Sequence, residues 1–198
     1  ADDLVNRQEI RCVLQFGDQL QLMVEGVADL VGDAVRIAFR STFPEHKLQL
    51  EATKQIAHAY RPSGQLSRAA GEYDRISSQS DDPALRSEAL LVAGDLYEQS
   101  KDRERALVAY QLYVKEFPRP VETALETRFK IAEMHKEAHD DSPYRHELKE
   151  IVRIDAGAGP ERTGRTRTLA ARSALVLAEQ LFGDFLGVKL RQPFETSL

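Results

Sequence analysis

Small, large apolar and aromatic residues recur at fixed spacing through the middle of the chain. The clearest stretch carries Leu90, Gly94, Tyr97, Ala106, Tyr110 and Pro118. Steps of three and four residues place such positions on one face of a helix. We therefore expect two antiparallel helices that approach closely at Gly94 and Ala106. The tyrosines fill the space around this contact, and Pro118 ends the second helix.

The same pattern occurs once before and once after this stretch. The preceding copy is offset by 37 residues and comprises Ala57, Tyr60, Ala69, Tyr73 and Ile76. The following copy is offset by 38 residues and comprises Ala132, His135, Tyr144, Leu148 and Ile151. In all three copies the first small residue lies twelve positions before the start of the second helix. The variable lengths are therefore expected between copies, at 77–86 and 119–127, and Pro83 is expected to end the second helix of the preceding copy.

A helix–turn–helix unit of about 34 residues with this spacing resembles the tetratricopeptide repeat (TPR). The resemblance implies an all-α fold, a right-handed solenoid of helical hairpins. Because one hairpin cannot bury its own apolar face, neighbouring units must cover it. We expect three repeats within 50–154, at about 50–83, 87–118 and 125–156.

The chain on either side of these repeats is also expected to be helical. Apolar residues between 20 and 39 recur on one helical face, and 1–49 is interpreted as an N-terminal helical cap, with a separate partner-binding helix as the alternative. Charged residues interrupt this stretch before it reaches the ~18 apolar residues of a membrane span. We expect a flexible basic junction at 155–168. An apolar helix then begins at Leu169, and 169–198 forms the first helix of a further, incomplete repeat.

Composition narrows the class of partner. The 42% apolar and 30% charged residues are typical of a soluble globular or solenoid protein. A net charge of −5 argues against a general binder of nucleic acid or of anionic membranes, because both need a basic face. The single cysteine, Cys12, excludes an intrachain disulfide.

The C-terminal part of the chain carries a second resemblance. Residues 117–133, 144–152 and 168–179, with Pro193 and the closing Ser197-Leu198, resemble one part of a family of very long bacterial TPR proteins. Members of that family are described as components of TonB-type, ExbB/ExbD-linked or gliding envelope systems. The resemblance implies an exported, periplasmic or envelope-associated scaffold without chemistry of its own, and a cytoplasmic location is the alternative.

Two clusters of residues are candidates for a metal site and for an anion-binding or partner-binding site. His135 and His139 lie one helical turn apart, a spacing that can bind Zn²⁺, although we interpret them as structural residues because a metal needs more convergent ligands. A basic cluster could contact an anion or an acidic partner, although a solvated surface is the simpler interpretation. This cluster comprises Arg162, Arg165, Arg167 and Arg172.

In a TPR solenoid the first helix of each unit lines a concave groove. The expected groove residues are Glu88, Leu91, Asp95 and Glu98 in the second unit and Glu126, Phe129, Glu133 and Lys136 in the third. The first unit would add Glu51, Lys54, His58 and Arg61, and the last helix Arg172, Leu175, Glu179 and Phe182. Such an acidic wall with apolar positions favours a peptide that carries basic and apolar residues.

The sequence thus predicts a non-enzymatic scaffold that binds a protein or peptide partner, within a bacterial envelope complex. It predicts no cofactor, no membrane span and no nucleic-acid partner, and it leaves the oligomeric state open. The alternative is a metal-binding or enzyme-accessory helical domain that uses His135 and His139.

Overall fold

The structure, a computed structural model, describes residues 37–38, 41–42, 48–62 and 64–187. This part of the chain is all-helical and contains no strand, which confirms the predicted all-α class. The helices are α1 (Gln49–Tyr60), α2 (Leu66–Gln79), α3 (Pro83–Gln99), α4 (Arg103–Glu116), α5 (Val121–Glu137), α6 (Asp141–Gly157) and α7 (Gly164–Gly187). One 3-10 turn, Gly159–Glu161, lies between α6 and α7. Most of the predicted cap at 1–49, and the tail at 188–198, lie outside the described residues.

Each helix packs against the next one along the chain, and α5 also packs against α7. Helices that are in contact and joined by such short connections run antiparallel. Local signals in the sequence set where two of them begin. The Asp82 side chain accepts a hydrogen bond from the Ala84 N–H at the start of α3, and the Asp102 side chain accepts one from the Arg105 N–H at the start of α4.

The turns that join α1 to α2, α3 to α4 and α5 to α6 share one backbone geometry. Each contains a residue in the left-handed region, at Gly64 (φ 73°), Lys101 (φ 64°) and His139 (φ 59°). The next residue in each turn donates its N–H to the carbonyl five positions back, in the pairs Gln65 to Tyr60, Asp102 to Tyr97 and Asp140 to His135. These turns are spaced 37 and 38 residues apart, the same offsets as the sequence pattern.

Two buried clusters account for most of the core. The first contains residues of α1 to α4, among them Ile56, Leu90, Tyr97 and Tyr110, together with Ile131 from α5. The second joins α5, α6 and α7 through Val121, Leu125, Ile151, Leu169 and Ala170. Ile131 therefore connects α5 to the helices that precede it.

Gly94 lies against the second helix of its own unit, as the spacing predicts. A Cβ at this position would lie 2.4 Å from Cε1 of Tyr110, which is fully buried. The close contact is thus with the Tyr110 ring, one turn beyond Ala106. The ring of Tyr110 occupies the space that a side chain at Gly94 would need.

The connections between units are shorter than the sequence predicted. Only 80–82 separates α2 from α3, and only 117–120 separates α4 from α5. Pro83, expected to end a helix, is instead the first residue of α3, a position that needs no backbone N–H donor. The 155–168 junction is also mostly structured, because α6 extends to Gly157 and α7 begins at Gly164 rather than at Leu169.

Candidate functional site

A depression of about 440 Å³ lies between α1, α2 and α3. Its inner part is apolar, formed by the buried Ile76 and Ala89 and the half-buried Tyr73 and Leu85. Its rim is polar and consists of Glu51, Lys54, Gln55, His58 and Glu88. An apolar floor within a charged rim is the usual composition of a site that anchors one or two side chains of a ligand.

The helical period explains how the rim forms. Glu51, Lys54 and His58 recur at three- and four-residue steps and so share one face of α1, while Ile56 is buried on another. On α3, Leu85, Glu88 and Ala89 share a face in the same way. The two helices therefore present their predicted groove positions to a common space.

Some of the polar side chains on the rim form hydrogen bonds within the described residues, and others do not. Gln55 donates to Glu51 Oε1 at 2.9 Å. Within the described part of the chain, Lys54, His58 and Glu88 have no side-chain hydrogen bond or ion pair. Glu88 is exposed, so its carboxylate is available to a ligand.

The predicted acidic wall on α3 is occupied by contacts within the protein. The hydroxyl of Tyr110 lies 2.5 Å from Asp95 Oδ1 and 2.9 Å from Glu98 Oε2, and its one proton is shared between these two acceptors. Lys130 donates from Nζ to the same Asp95 oxygen at 2.5 Å, and its ammonium lies 5.1 Å from the centroid of the Tyr110 ring. Burial, followed by the two hydrogen-bonded carboxylates, raises the pKa of Tyr110 far above its usual value. These four side chains link α3, α4 and α5.

The groove residues on α5 are likewise partnered. Glu126 forms an ion pair with Arg165 at 2.7 Å, and Glu133 forms one with Lys136 at 3.6 Å. Phe129 is half-buried against the α5–α7 cluster. The Phe129 ring is therefore only partly open to a partner, and its role as a groove residue stays a prediction.

Leu91, another predicted groove residue, is packed in a similar way. It is half-buried and packs against the α1–α4 cluster. Of the groove residues predicted on α3 and α5, Glu88 is the one that lines the α1–α3 depression. Sequence reasoning did include Glu51, Lys54 and His58 in the wall, and these three line the depression with Glu88.

A second tyrosine–carboxylate contact lies beside the first. Tyr97 donates its hydroxyl to Asp74 Oδ2 at 2.6 Å, and the Arg105 guanidinium lies 5.6 Å from the centroid of the Tyr97 ring. Burial raises the pKa of Asp74, and burial with the Asp74 hydrogen bond and charge raises the pKa of Tyr97 to about 12. The contact links α2, α3 and α4 and has a structural role.

Two arginines of the basic cluster, Arg162 and Arg165, form ion pairs within the protein. Arg162 contacts Asp155 Oδ2 at 2.7 Å, and this carboxylate is only 2% exposed. Burial alone would raise the pKa of Asp155, but hydrogen bonds from Arg162 and Thr166 and the nearby positive charges hold it below its usual value. Arg165 is paired with Glu126, whereas Arg167 and Arg172 are exposed.

The segment that carries these arginines is fixed to the helices around it. Thr163 donates its hydroxyl to Glu122 Oε2 at 2.5 Å, which attaches the start of α7 to α5. Thr163 and Thr166 also exchange hydrogen bonds, each accepting on its hydroxyl from the backbone N–H of the other. Asp155 and Arg162 connect the same segment to α6. The predicted flexible junction is therefore a packed corner.

The two histidines lie at the end of α5 and in the turn that follows it. His135 is 12% exposed, with Nδ1 3.6 Å from Asp140 Oδ2, while His139 occupies the left-handed turn position after α5. Among the residues that the structure describes, no group of three or more His, Cys, Asp or Glu side chains is arranged to hold a metal ion. The alternative function based on these histidines gains no support from their geometry.

None of the described helices combines the length and apolar character needed to cross a membrane. Comparisons of the chain with protein-family models, with curated proteins and with solved structures find no match. Function is therefore inferred from the surface of the chain itself.

Proposed function

We propose that this protein is a non-enzymatic scaffold that binds a peptide segment of a partner protein in the depression between α1 and α3. The observation that carries the proposal is the combination of an apolar floor with the polar rim side chains of Lys54, His58 and Glu88, which have no hydrogen bond or ion pair within the described residues. The site is formed by α1 and α3, the first helices of two successive units, together with Tyr73 and Ile76 of α2. The residues that form it are separate from those that link the helices through Tyr97 and Tyr110.

The repeated turns support a TPR-like arrangement as the basis of this surface. Three helical hairpins closed by the same left-handed turn, at offsets of 37 and 38 residues, are what a helical repeat requires. In a right-handed solenoid of such hairpins, α1 and α3 line the concave side. A concave wall with a local depression is suited to an extended or helical peptide.

The chemistry of the depression specifies the ligand class. An apolar side chain on the peptide would contact the half-buried Tyr73 and Leu85, and removal of their remaining exposed surface from water favours binding. Glu51 and Glu88 on the rim favour a basic residue next to that anchor. The volume falls within the range of about 300–1,000 Å³ found for ligand pockets.

We place this scaffold in a bacterial envelope complex, on the resemblance of its C-terminal part to long bacterial TPR proteins of envelope systems. The peptide would then be an exposed segment of another component of that complex. Binding by a shallow, wet site with one apolar anchor is weak, so it suits an assembly in which several contacts act together.

The test compares two charge reversals in the full chain. A fluorescent peptide library with one central Leu, Val or Phe and flanking Lys or Arg identifies ligands by fluorescence polarisation. Glu88→Lys should weaken the selected peptide about tenfold or more, and added salt should weaken the wild-type complex, because the rim carboxylate is lost or screened. Glu104→Lys is the control, since Glu104 is an exposed carboxylate on α4 away from the depression.

Equal effects of Glu88→Lys and Glu104→Lys would contradict the proposal. So would equal binding of peptides in which Asp and Glu replace the flanking basic residues. Circular dichroism of both variants verifies that each retains the helical fold.

A further inference from the structure

Tyr73 is the counterpart of Tyr110 in the preceding unit, but it lies in a different environment. The two tyrosines are 37 residues apart, which is also the offset between the turns of their hairpins. Tyr110 is fully buried against Gly94, whereas the residue that corresponds to Gly94 in the first unit is Ala57. Because Ala57 has the Cβ that Gly94 lacks, the Tyr73 ring cannot pack as deeply between its helices. Tyr73 is accordingly half-buried, and it lines the α1–α3 depression.

The carboxylates that surround the Tyr110 hydroxyl have no counterpart around Tyr73. Two carboxylates lie within hydrogen-bonding distance of the Tyr110 hydroxyl, and they belong to residues 15 and 12 positions before it in the chain. The residues 15 and 12 positions before Tyr73 are His58 and Arg61. Among the described residues, the Tyr73 hydroxyl has no hydrogen-bond partner. The first unit therefore has basic or neutral groups where the central unit has acceptors.

A carboxylate from outside the chain would give the Tyr73 hydroxyl an acceptor. The fold already uses this kind of contact twice, since Tyr97 donates its hydroxyl to Asp74 at 2.6 Å and Tyr110 has its own carboxylates. A hydrogen bond to a charged acceptor is stronger than one between neutral groups. Two further donors, Lys54 and His58, line the same depression and are without partners in the part of the chain that the structure describes.

The charges of the rim change sign along the depression. Glu51 and Glu88 occupy the same position in successive units, 37 residues apart, and so mark one end of it. Lys54 and His58 follow Glu51 on α1 at steps of three and four residues, toward the other end. A ligand with a basic residue on one side of its apolar anchor and an acidic residue on the other side matches this order of charges.

We propose that the peptide bound in the α1–α3 depression carries an acidic side chain, whose carboxylate accepts a hydrogen bond from the Tyr73 hydroxyl and contacts Lys54 and His58. This inference rests on the proposed function, because it specifies a second charged residue of the same peptide. The basic residue of the peptide contacts Glu51 and Glu88. A peptide with acidic residues on both sides of the anchor remains a weak ligand, since it would place like charges beside these two carboxylates.

Fluorescence polarisation with three peptides tests the acidic contact on the full chain. The parent peptide has a central Leu, one Lys on each side and an amidated C-terminus, so it contains no carboxylate. In each of two variants a different Lys is replaced by Glu, because the direction in which the peptide lies decides which side meets Tyr73. We expect at least one variant to bind about fivefold or more tightly than the parent, as for one hydrogen bond to a charged group.

Tyr73→Phe determines whether the hydroxyl causes this gain. The acidic peptide should lose most of its advantage in this variant, whereas the parent peptide should bind as it does to the wild type. Tyr144→Phe is the matched control, because it removes a hydroxyl from α6, outside the depression. A gain that persists in Tyr73→Phe would overturn the proposal, and circular dichroism verifies the fold of both variants.

Lys54→Glu tests the charge at the same end of the depression. It should weaken the acidic peptide and strengthen the parent peptide, because the rim then carries a further negative charge in place of a positive one. Equal changes in the affinity of both peptides would contradict the acidic contact.

The outcomes separate this inference from the proposed function. If none of the three peptides binds the wild-type chain, the depression is not a peptide site and both proposals are wrong. If the parent peptide binds and Glu88→Lys weakens it, but neither acidic variant binds more tightly than the parent, only the acidic contact is wrong.

Discussion

The missing side chain at Gly94 determines how closely α3 and α4 approach. The three ring atoms of Tyr110 nearest to a Cβ at this position would lie 2.4 to 2.9 Å from it, closer than such atoms pack. Tyr110 is fully buried and its hydroxyl is bound to Asp95 and Glu98, so its ring has little freedom to move away. One backbone position therefore supports both the packing and the polar contacts of the central unit.

Gly94→Ala should destabilise the protein by about 1–3 kcal/mol, because the new methyl group overlaps the Tyr110 ring. Gly71→Ala is the control. It adds the same methyl group inside α2, where the nearest atom is the Tyr97 hydroxyl at an ordinary 3.7 Å, and it should be neutral or stabilising by up to about 1 kcal/mol. Urea unfolding followed by circular dichroism measures both; equal midpoints would refute the close contact.

Residue identities in the sequence predicted the packing positions better than the polar contacts. Gly94, Tyr97 and Tyr110 stand out because small and aromatic residues recur at fixed offsets. Asp95 and Lys130 are 35 residues apart, and nothing in either local pattern indicates that they form an ion pair. The expected acidic wall was therefore overestimated, since partners from other helices occupy its carboxylates.

At the scale of elements, the three hairpin turns are the most regular feature of the chain. Only the first of them has glycine at the left-handed position; the other two have Lys101 and His139. A side chain with a Cβ is strained there by about 1 kcal/mol or more, which glycine avoids. Two of the three turns thus retain strain that a single substitution could remove.

Lys101→Gly and His139→Gly should each raise the free energy of unfolding by about 0.5–1 kcal/mol. The converse change, Gly64→Ala, should lower it by about 1 kcal/mol, although it meets no atom within 4 Å, because only the backbone conformation is affected. Chemical denaturation of the three variants measures these values. Destabilisation by His139→Gly would instead show that its imidazole makes a contact worth more than the strain.

The element boundaries show where sequence patterns fell short. Pro83 and Asp82 together form a helix start, but the proline was interpreted as a stop because it follows an apolar pattern. Thr163 and Thr166 form a reciprocal cap at the start of α7, but basic residues around them resembled a solvated linker. Proline and polar residues occur both where helices begin and where they end, so the sequence alone does not separate the two. At the start of α7 the contacts of Thr163 with Glu122 and of Arg162 with Asp155 fix the helix start.

At the scale of the whole molecule, the peptide site and the exposed apolar residues of α7 lie on different elements. The α1–α3 depression lies in the first unit and its neighbour, whereas Leu181, Phe182 and Phe185 belong to the last described helix. Phe182→Asp should therefore leave peptide binding at the depression unchanged when it is measured by fluorescence polarisation.

The ultraviolet absorbance of the buried phenols of Tyr97 and Tyr110 reports whether their hydroxyls are ionised. The chain has six tyrosines and no tryptophan, and ionised phenol absorbs differently from neutral phenol in the near ultraviolet. The folded pKa of Tyr97 is raised to about 12, while an unfolded tyrosine ionises near 10. The folded state therefore holds its phenol protons more tightly, and stability falls as the pH rises above about 10.

Alkaline titration should accordingly show a late absorbance change. Tyr97 and Tyr110 should ionise only together with the loss of helical circular dichroism. Tyr97→Phe should remove its share of the late absorbance change. If all six ionise near pH 10 while the helices persist, the hydroxyls of Tyr97 and Tyr110 are not held as the structure shows.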